Sequence, residues 1–330
     1  MEGLVNRVTR MLGVRYPIVQ APMGWIARAQ LASAVSNAGG LGIIETSSGE
    51  LDAVRDEIRK MRDRTDRPFG VNIAQLFVRD PSIVDFVVGQ GVRFVTTSAG
   101  DPRQYTAQLK SAGLTVFHVV PSLAAALKAV AAGVDGLVVE GGEGGGFKNP
   151  RDVATMVLLP LVCSKVDVPV IAAGGICDGP TMAAAFALGA EGVQMGSRMV
   201  SAAESPVHEN WKRAIVAAAE TDTVFLNRFS RPGLRALRTG RSTELERQEH
   251  VGFDVFARAM DLYFGGDMEA SIALAGQVVG RIDAVKPVAE IIAETMRGFH
   301  ATIARLGGLG GASATHEPSA RAAQMTTRRD

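Results

Sequence analysis

The sequence predicts an α/β protein: a (β/α)8 TIM barrel carrying a small helical lid insert. Three observations point there. Eight short apolar runs, at 17–20, 41–44, 69–73, 94–97, 116–120, 136–139, 170–173 and 192–195, recur along the first two thirds of the chain. They are rich in Val and Ile and nearly continuous rather than alternating, as parallel strands buried on both faces require. Amphipathic stretches at 29–37, 51–62, 82–91, 102–112, 123–132, 153–164 and 180–188 separate them, and Gly39, Gly113, Gly133 and Gly189 stand where helices would end. A doubly wound open sheet is the alternative; eight strand–helix alternations favour closure.

Taken in order, residues 1–200 form the barrel. After Met199 the rhythm breaks, and 201–287 carries longer helical patterns with Trp211, Phe225, Phe229, Phe253, Phe256, Tyr263 and Phe264. This segment is expected to be a helical insert covering one mouth of the barrel. Residues 288–306 return as a final helix. The tail, 307–330, is rich in Gly, Ala, Ser and Thr and lacks apolar periodicity, so disorder is expected there.

Composition excludes several functions. Lys plus Arg number 35 against 34 Asp plus Glu, so the clustered positive charge that binds nucleic acid or a membrane surface is missing. Cys163 and Cys177 make no CxxC pair and no disulfide framework, which suits two reduced thiols. No signal peptide or 18-residue apolar run is visible, so a cytoplasmic protein is expected. His118, His208, His250, His300 and His316 show no metal-ligand spacing, and no metal is expected. No GxSxG elbow or GxxxxGK[ST] loop appears.

In a barrel of this kind ligands bind at the C-terminal ends of the strands, and the unusual residues gather there: Ala21-Pro22-Met23-Gly24-Trp25, Asn72, the stretch EGGEGGG at 140–146, Gly174-Gly175, and Gly196-Ser197. Glycine loops after the last two strands let backbone amides converge on an anion, and Ser197 adds a hydroxyl donor. A phosphate-bearing ligand or plain tight turns both fit this pattern.

Taken together, PIVQAPMGW (17–25), AGGLGI (38–43), RPFGVN (67–72), EGGEGGG (140–146), PVIAAGGICDG (169–179), MGSR (195–198) and AGQ (275–277) resemble the nitronate monooxygenase (2-nitropropane dioxygenase) family. Flavin-type enoyl-acyl-carrier-protein reductases and NADH:quinone reductases are its close relatives. The resemblance spans roughly residues 8–305 and implies FMN as cofactor. It places the Pro22, Met23 and Gly24 backbone against the isoalloxazine ring, Asn72 at the ring edge, and Glu140 near the ribityl chain with Gly145 beside it. Ala173, Gly174 and Gly175 would meet the ribityl chain and phosphate, and Gly196 with Ser197 would close the phosphate cradle.

One departure bears on chemistry. The family writes a proton-active histidine after the strand 6 glycines, and here that position is Phe147. A lysine found near the ring elsewhere in the family is also absent, its place being Val119. Such a proton-transfer group contributes about 10²–10⁴-fold in rate. Oxidation of a nitronate, already an anion, needs no such base. Hydride transfer from NAD(P)H needs only a proton from elsewhere, for which Glu143, Lys148 and His118 are the candidates. Three functions follow. One is an FMN oxidoreductase oxidising nitronate-like small carbanions with O₂. Another is an NAD(P)H-dependent FMN reductase of an enoyl-thioester, quinone or CoA-linked intermediate. Arg228, Arg231, Arg235 and Arg238, recurring at helical steps, would there meet a pyrophosphate. The third is a non-catalytic flavin-binding barrel. A homodimer is compatible with each.

Overall fold

The computed structural model describes residues 3–47 and 51–311. Eight parallel strands form one sheet: β1 (Ile18–Gln20), β2 (Gly42–Glu45), β3 (Phe69–Ala74), β4 (Phe94–Ser98), β5 (Thr115–Val120), β6 (Gly136–Glu140), β8 (Val170–Ala173) and β9 (Gly192–Met195). β7 (Gly146–Lys148) lies outside it. The sheet order β1-β9-β8-β6-β5-β4-β3-β2 closes through a parallel bridge between Val19 and Leu41. Closure removes the open-sheet alternative. The eight expected runs coincide with the eight barrel strands to within a residue or two at each end.

Strand alternation sorts side chains between two cores. Val19, Leu41, Ile43, Phe94, Phe117, Val138, Ile171 and Ala173 fill the barrel, with Phe94 and Phe117 edge to face at 5.3 Å. The helix Arg7–Leu12 plugs the bottom by inserting Val8 and Leu12 into that same cluster. Asn6 caps it, accepting from the Thr9 amide at 2.9 Å. The intervening residues, such as Ile18, Ile44, Val71, Val95, Val116, Leu137 and Val193, face the surrounding helices. Full burial of each such side chain stabilises the fold by about 1.5–3 kcal/mol.

The 201–287 segment is not purely helical as expected. It contains the helices Glu209–Ala217, Gly240–Leu245 and Ala259–Tyr263, but also β10 (Thr223–Leu226) and β11 (Gly233–Leu237), an antiparallel hairpin. Asn227, in the left-handed region at φ 58°, locks the turn: its side chain donates to Pro232 O at 2.8 Å and accepts from the Val251 amide at 2.7 Å. β11 also pairs with β7, Leu234 opposite Phe147. A three-stranded sheet therefore joins the insert to the loop after β6. The insert has its own small core, built from Val224, Leu226, Leu234, Ala236, Leu245, Val251, Val255 and Ile272.

The final helix runs Val288–Gly311, packing Ile291, Ile292, Met296 and Phe299 into the main core. It passes through 307–311, where disorder was expected. A helix already anchored by packing propagates through glycines that cost about 1 kcal/mol each. The rest of that tail, 312–330, lies outside the described residues. No helix among the described residues is long and apolar enough to cross a membrane.

Candidate active site

At the C-terminal mouth the inward-facing positions are Glu45, Asn72, Thr96, Val119, Glu140, Ala173 and Gln194, each in register with the interior cluster of its own strand or opposite the outward series. Asn72 is buried; its Nδ2 donates to Thr96 Oγ1 at 2.9 Å and Ser98 Oγ at 3.3 Å. That leaves Oδ1 to accept from a ligand N–H. Glu45 is fully buried and pairs with Arg28 at 2.9 Å while accepting the Trp25 amide at 3.1 Å. It thereby holds Trp25 at φ 59°, a left-handed conformation costing a non-glycine residue about 1–2 kcal/mol. The loop Pro22-Met23-Gly24 is fixed in turn, since Met23 O accepts from the Ala27 amide at 2.8 Å. Trp25 meets Tyr263 of the insert at 6.0 Å, and Tyr263 meets Trp211 at 4.7 Å, so the insert rests on this loop. Burial pushes the Tyr263 phenol above its ordinary pKa.

The ends of β8 and β9 bring free backbone amides together. Gly174 and Gly175 both take left-handed φ, +82° and +77°, and a Cβ on Gly174 would stand 2.8 Å from Gly141 O. The Cys177 and Asp178 amides are taken by Thr181 Oγ1, each at 3.1 Å. The amides of Gly175, Ile176, Gly196 and Ser197 have no acceptor among the described residues. Ser197 Oγ accepts the Gly276 amide at 2.8 Å, so its own proton remains to be donated. Unsatisfied amides at adjacent strand ends, with a free hydroxyl, fit a phosphate monoester. The loop carrying Gly276 is stitched to the β6 loop: Gln277 N donates to Glu143 O at 2.9 Å, and a Cβ on Gly145 would meet Ala275 C at 2.5 Å.

The proton-active candidates are placed elsewhere. His118 shares the outward face with Val116 and Val120, away from the barrel interior. It hydrogen-bonds Thr97 Oγ1 at 2.7 Å, and burial lowers its pKa to about 4, so it is neutral at pH 7. Glu143 accepts from the Thr155 amide at 3.0 Å and Thr155 Oγ1 at 2.9 Å, which occupies it at the start of the helix Thr155–Cys163. Lys148 is buried and donates to Glu140 Oε1. Phe147 packs on the insert core within a cluster of Phe77 (5.3 Å), Phe253 (6.0 Å) and Phe256 (6.0 Å). Cys177 is buried, its thiol pushed up to about 11 by desolvation, and no metal-ligand cluster exists among the described residues.

The four arginines lie on a hairpin and its flanks, not a helix face. Arg235 is buried: Nε donates to Gly142 O at 2.9 Å, and the guanidinium lies 3.4 Å from Asp152, so it braces the β6 loop. Arg238 pairs with Glu246 at 3.0 Å, while Arg228 lies over the Phe225 ring at 5.3 Å. Sequence reasoning did not single out Glu45, Gln194 or Phe77, and it assigned Arg235 to a pyrophosphate rather than to Gly142 O and Asp152. Gln194 Oε1 is buried inside the mouth without a partner among the described residues; a polar residue in an apolar strand was its only signal.

The closed barrel, with free backbone amides gathered at the ends of β8 and β9, defines a TIM-barrel protein suited to a phosphate-bearing ligand. The nitronate monooxygenase profile matches residues 6–86 and 75–298, and the chain belongs to that family. It is 37% identical over 251 residues to (3aS,4S,5R,7aS)-5-hydroxy-7a-methyl-1-oxo-octahydro-1H-indene-4-carboxyl-CoA dehydrogenase of Rhodococcus jostii, covering 76% of this chain and 70% of the relative. The Mycobacterium tuberculosis protein of the same name is 40% identical over 242 residues, covering 72% and 68%. Among solved structures, FabK from Thermotoga maritima superposes with a TM-score of 0.87 at 39% identity, over 93% of this chain and 99% of that one. The nitroalkane oxidase from Streptomyces ansochromogenes shares the fold, with a TM-score of 0.79 at 24% identity over 91% of this chain and 100% of that one.

Proposed function

We propose that the chain is an FMN-dependent oxidoreductase of the nitronate monooxygenase type, oxidising nitronate-like carbanionic small molecules with O₂. FMN suits the cradle because a phosphate monoester would take the Gly175, Ile176, Gly196 and Ser197 amides and the Ser197 hydroxyl. Pro22, Met23 and Gly24 would border the ring, Asn72 Oδ1 would accept at its edge, and Glu140, Gly145, Ala173 and Gly174 would line the ribityl chain. When bound, FMN supplies a two-electron acceptor that O₂ can reoxidise.

The observation that carries the choice of substrate is Phe147 among Phe77, Phe253 and Phe256. Phenylalanine at the position where the family carries a proton-active histidine cannot take a carbon-bound proton, which suits a substrate that arrives as the anion. A second reading, an NAD(P)H-dependent reductase of a CoA-linked or enoyl-thioester substrate, is favoured by the two relatives named as CoA-ester dehydrogenases. It too needs no base at position 147. Anaerobic flavin bleaching separates the two. Bleaching by propyl-2-nitronate but not by NADH or NADPH, with O₂ uptake on readmitting air, is the expected result. Rapid bleaching by a nicotinamide alone would move the assignment to the second reading.

A further inference from the structure

We propose that Lys148 is a positioning residue for the cofactor: its ammonium holds and charge-compensates the Glu140 carboxylate at the barrel mouth. The inference rests on the FMN reading above and adds a residue with no part in it. β7 is three residues long, and alternation turns its side chains to opposite sides. Phe147 goes to the insert core, and Lys148 goes to the barrel. Its side chain is only 4% exposed and donates to Glu140 Oε1. Glu140, at the last position of β6, shares the inward series with Val138.

The loop between the two residues is shaped around the pair. A Cβ on Gly144 would stand 2.5 Å from both Glu140 Oε1 and Lys148 Nζ. A side chain at 144 would have to displace the two charged tips. Glu140 Oε2 has no hydrogen bond among the described residues and the side chain keeps some exposure toward the opening. That oxygen is free to accept from a ribityl hydroxyl. Without the ammonium, a carboxylate would face a phosphate-bearing and, when reduced, electron-rich ligand across a low-dielectric mouth. With it, the pair is neutral and the rotamer is fixed.

The two charges then act as a unit, which a double-mutant cycle detects. FMN is titrated into flavin-free full-length protein, with dissociation constants read from flavin fluorescence and Tm measured on the same samples. Lys148→Met and Glu140→Gln are each expected to weaken FMN binding about 10-fold or more, and the double variant to bind within about 3-fold of wild type, since it leaves no unpaired charge. If Lys148→Met does not fold, Lys148→Gln replaces it, and the double variant must still bind FMN more tightly than Glu140→Gln alone. Losses that multiply in the double variant, or a Lys148→Met protein that binds FMN like wild type, overturn the inference. A fall in Tm with unchanged FMN affinity does the same, assigning the pair to fold alone. Failure of the wild type to bind FMN overturns the underlying cofactor reading instead, so the two are told apart.

Discussion

The two sides of the mouth are made from different materials. On the β8–β9 side, Gly174, Gly175, Gly196 and Ser197 contribute backbone amides and one hydroxyl. On the β6–β7 side, contacts come from side chains: Phe147 in its aromatic cluster, Lys148 on Glu140, and Arg235 bracing Gly142 O. Backbone amides do the same chemistry whatever the residue, provided the loop geometry is kept. A side-chain-built wall changes its chemistry with a single substitution. On the proposed reading, a chain can thus keep a cofactor cradle while the group beside it changes.

The strongest way to break that contrast is Phe147→His. If the β6–β7 wall alone sets the proton chemistry, neutral 2-nitropropane turnover should rise by about 10²–10⁴-fold, with nitronate turnover changed far less. Steady-state O₂ uptake measures both, and an unchanged nitroalkane rate would count against the assigned position. On the opposite side, Gly174→Val adds a Cβ at positive φ and 2.8 Å from Gly141 O. It should weaken FMN binding about 100-fold or more, from backbone strain and overpacking together, leaving a nearly colourless preparation.

His118 provides a control that belongs to neither side. Burial holds its folded pKa near 4, below the ordinary 6.5. As pH falls, the unfolded chain takes up the proton first. Stability from this group is complete above about pH 6.5 and lost between there and about 4, by about 3 kcal/mol. Urea titrations across that range should show the loss, His118→Gln should flatten it, and the pH profile of turnover should be the same in both proteins. The smallest effect is expected of Ser197→Ala: about 10-fold weaker FMN binding, the worth of one hydrogen bond to a charged group, with riboflavin affinity unchanged because it carries no phosphate.

The barrel was legible because buried parallel strands leave continuous apolar text, and helix-ending glycines mark the spaces between. The glycine loops after β8 and β9 were legible for the same local reason. The hairpin was not. Thr223–Leu226 and Gly233–Leu237 are short, their burial is uniform rather than alternating, and the arginines between and within them fall at spacings that imitate a helix. The orientation of Phe147, Lys148 and His118 was hidden too. Residue parity says that neighbours point oppositely, but only register says which points inward, and β7 takes its register from β11, with Phe147 opposite Leu234 far downstream in the chain. Glu45 gave no motif signal, since its work is to hold the Trp25 amide.

The strand that carries Phe147 and Lys148 is covalently part of the barrel, yet its hydrogen-bonded neighbour is the lid. Lids exchanged between relatives at the boundaries of 201–287 would therefore sever a sheet and misalign the chemistry beneath it. A working chimera has to transplant residues 146–148 together with the lid, as a single heritable module.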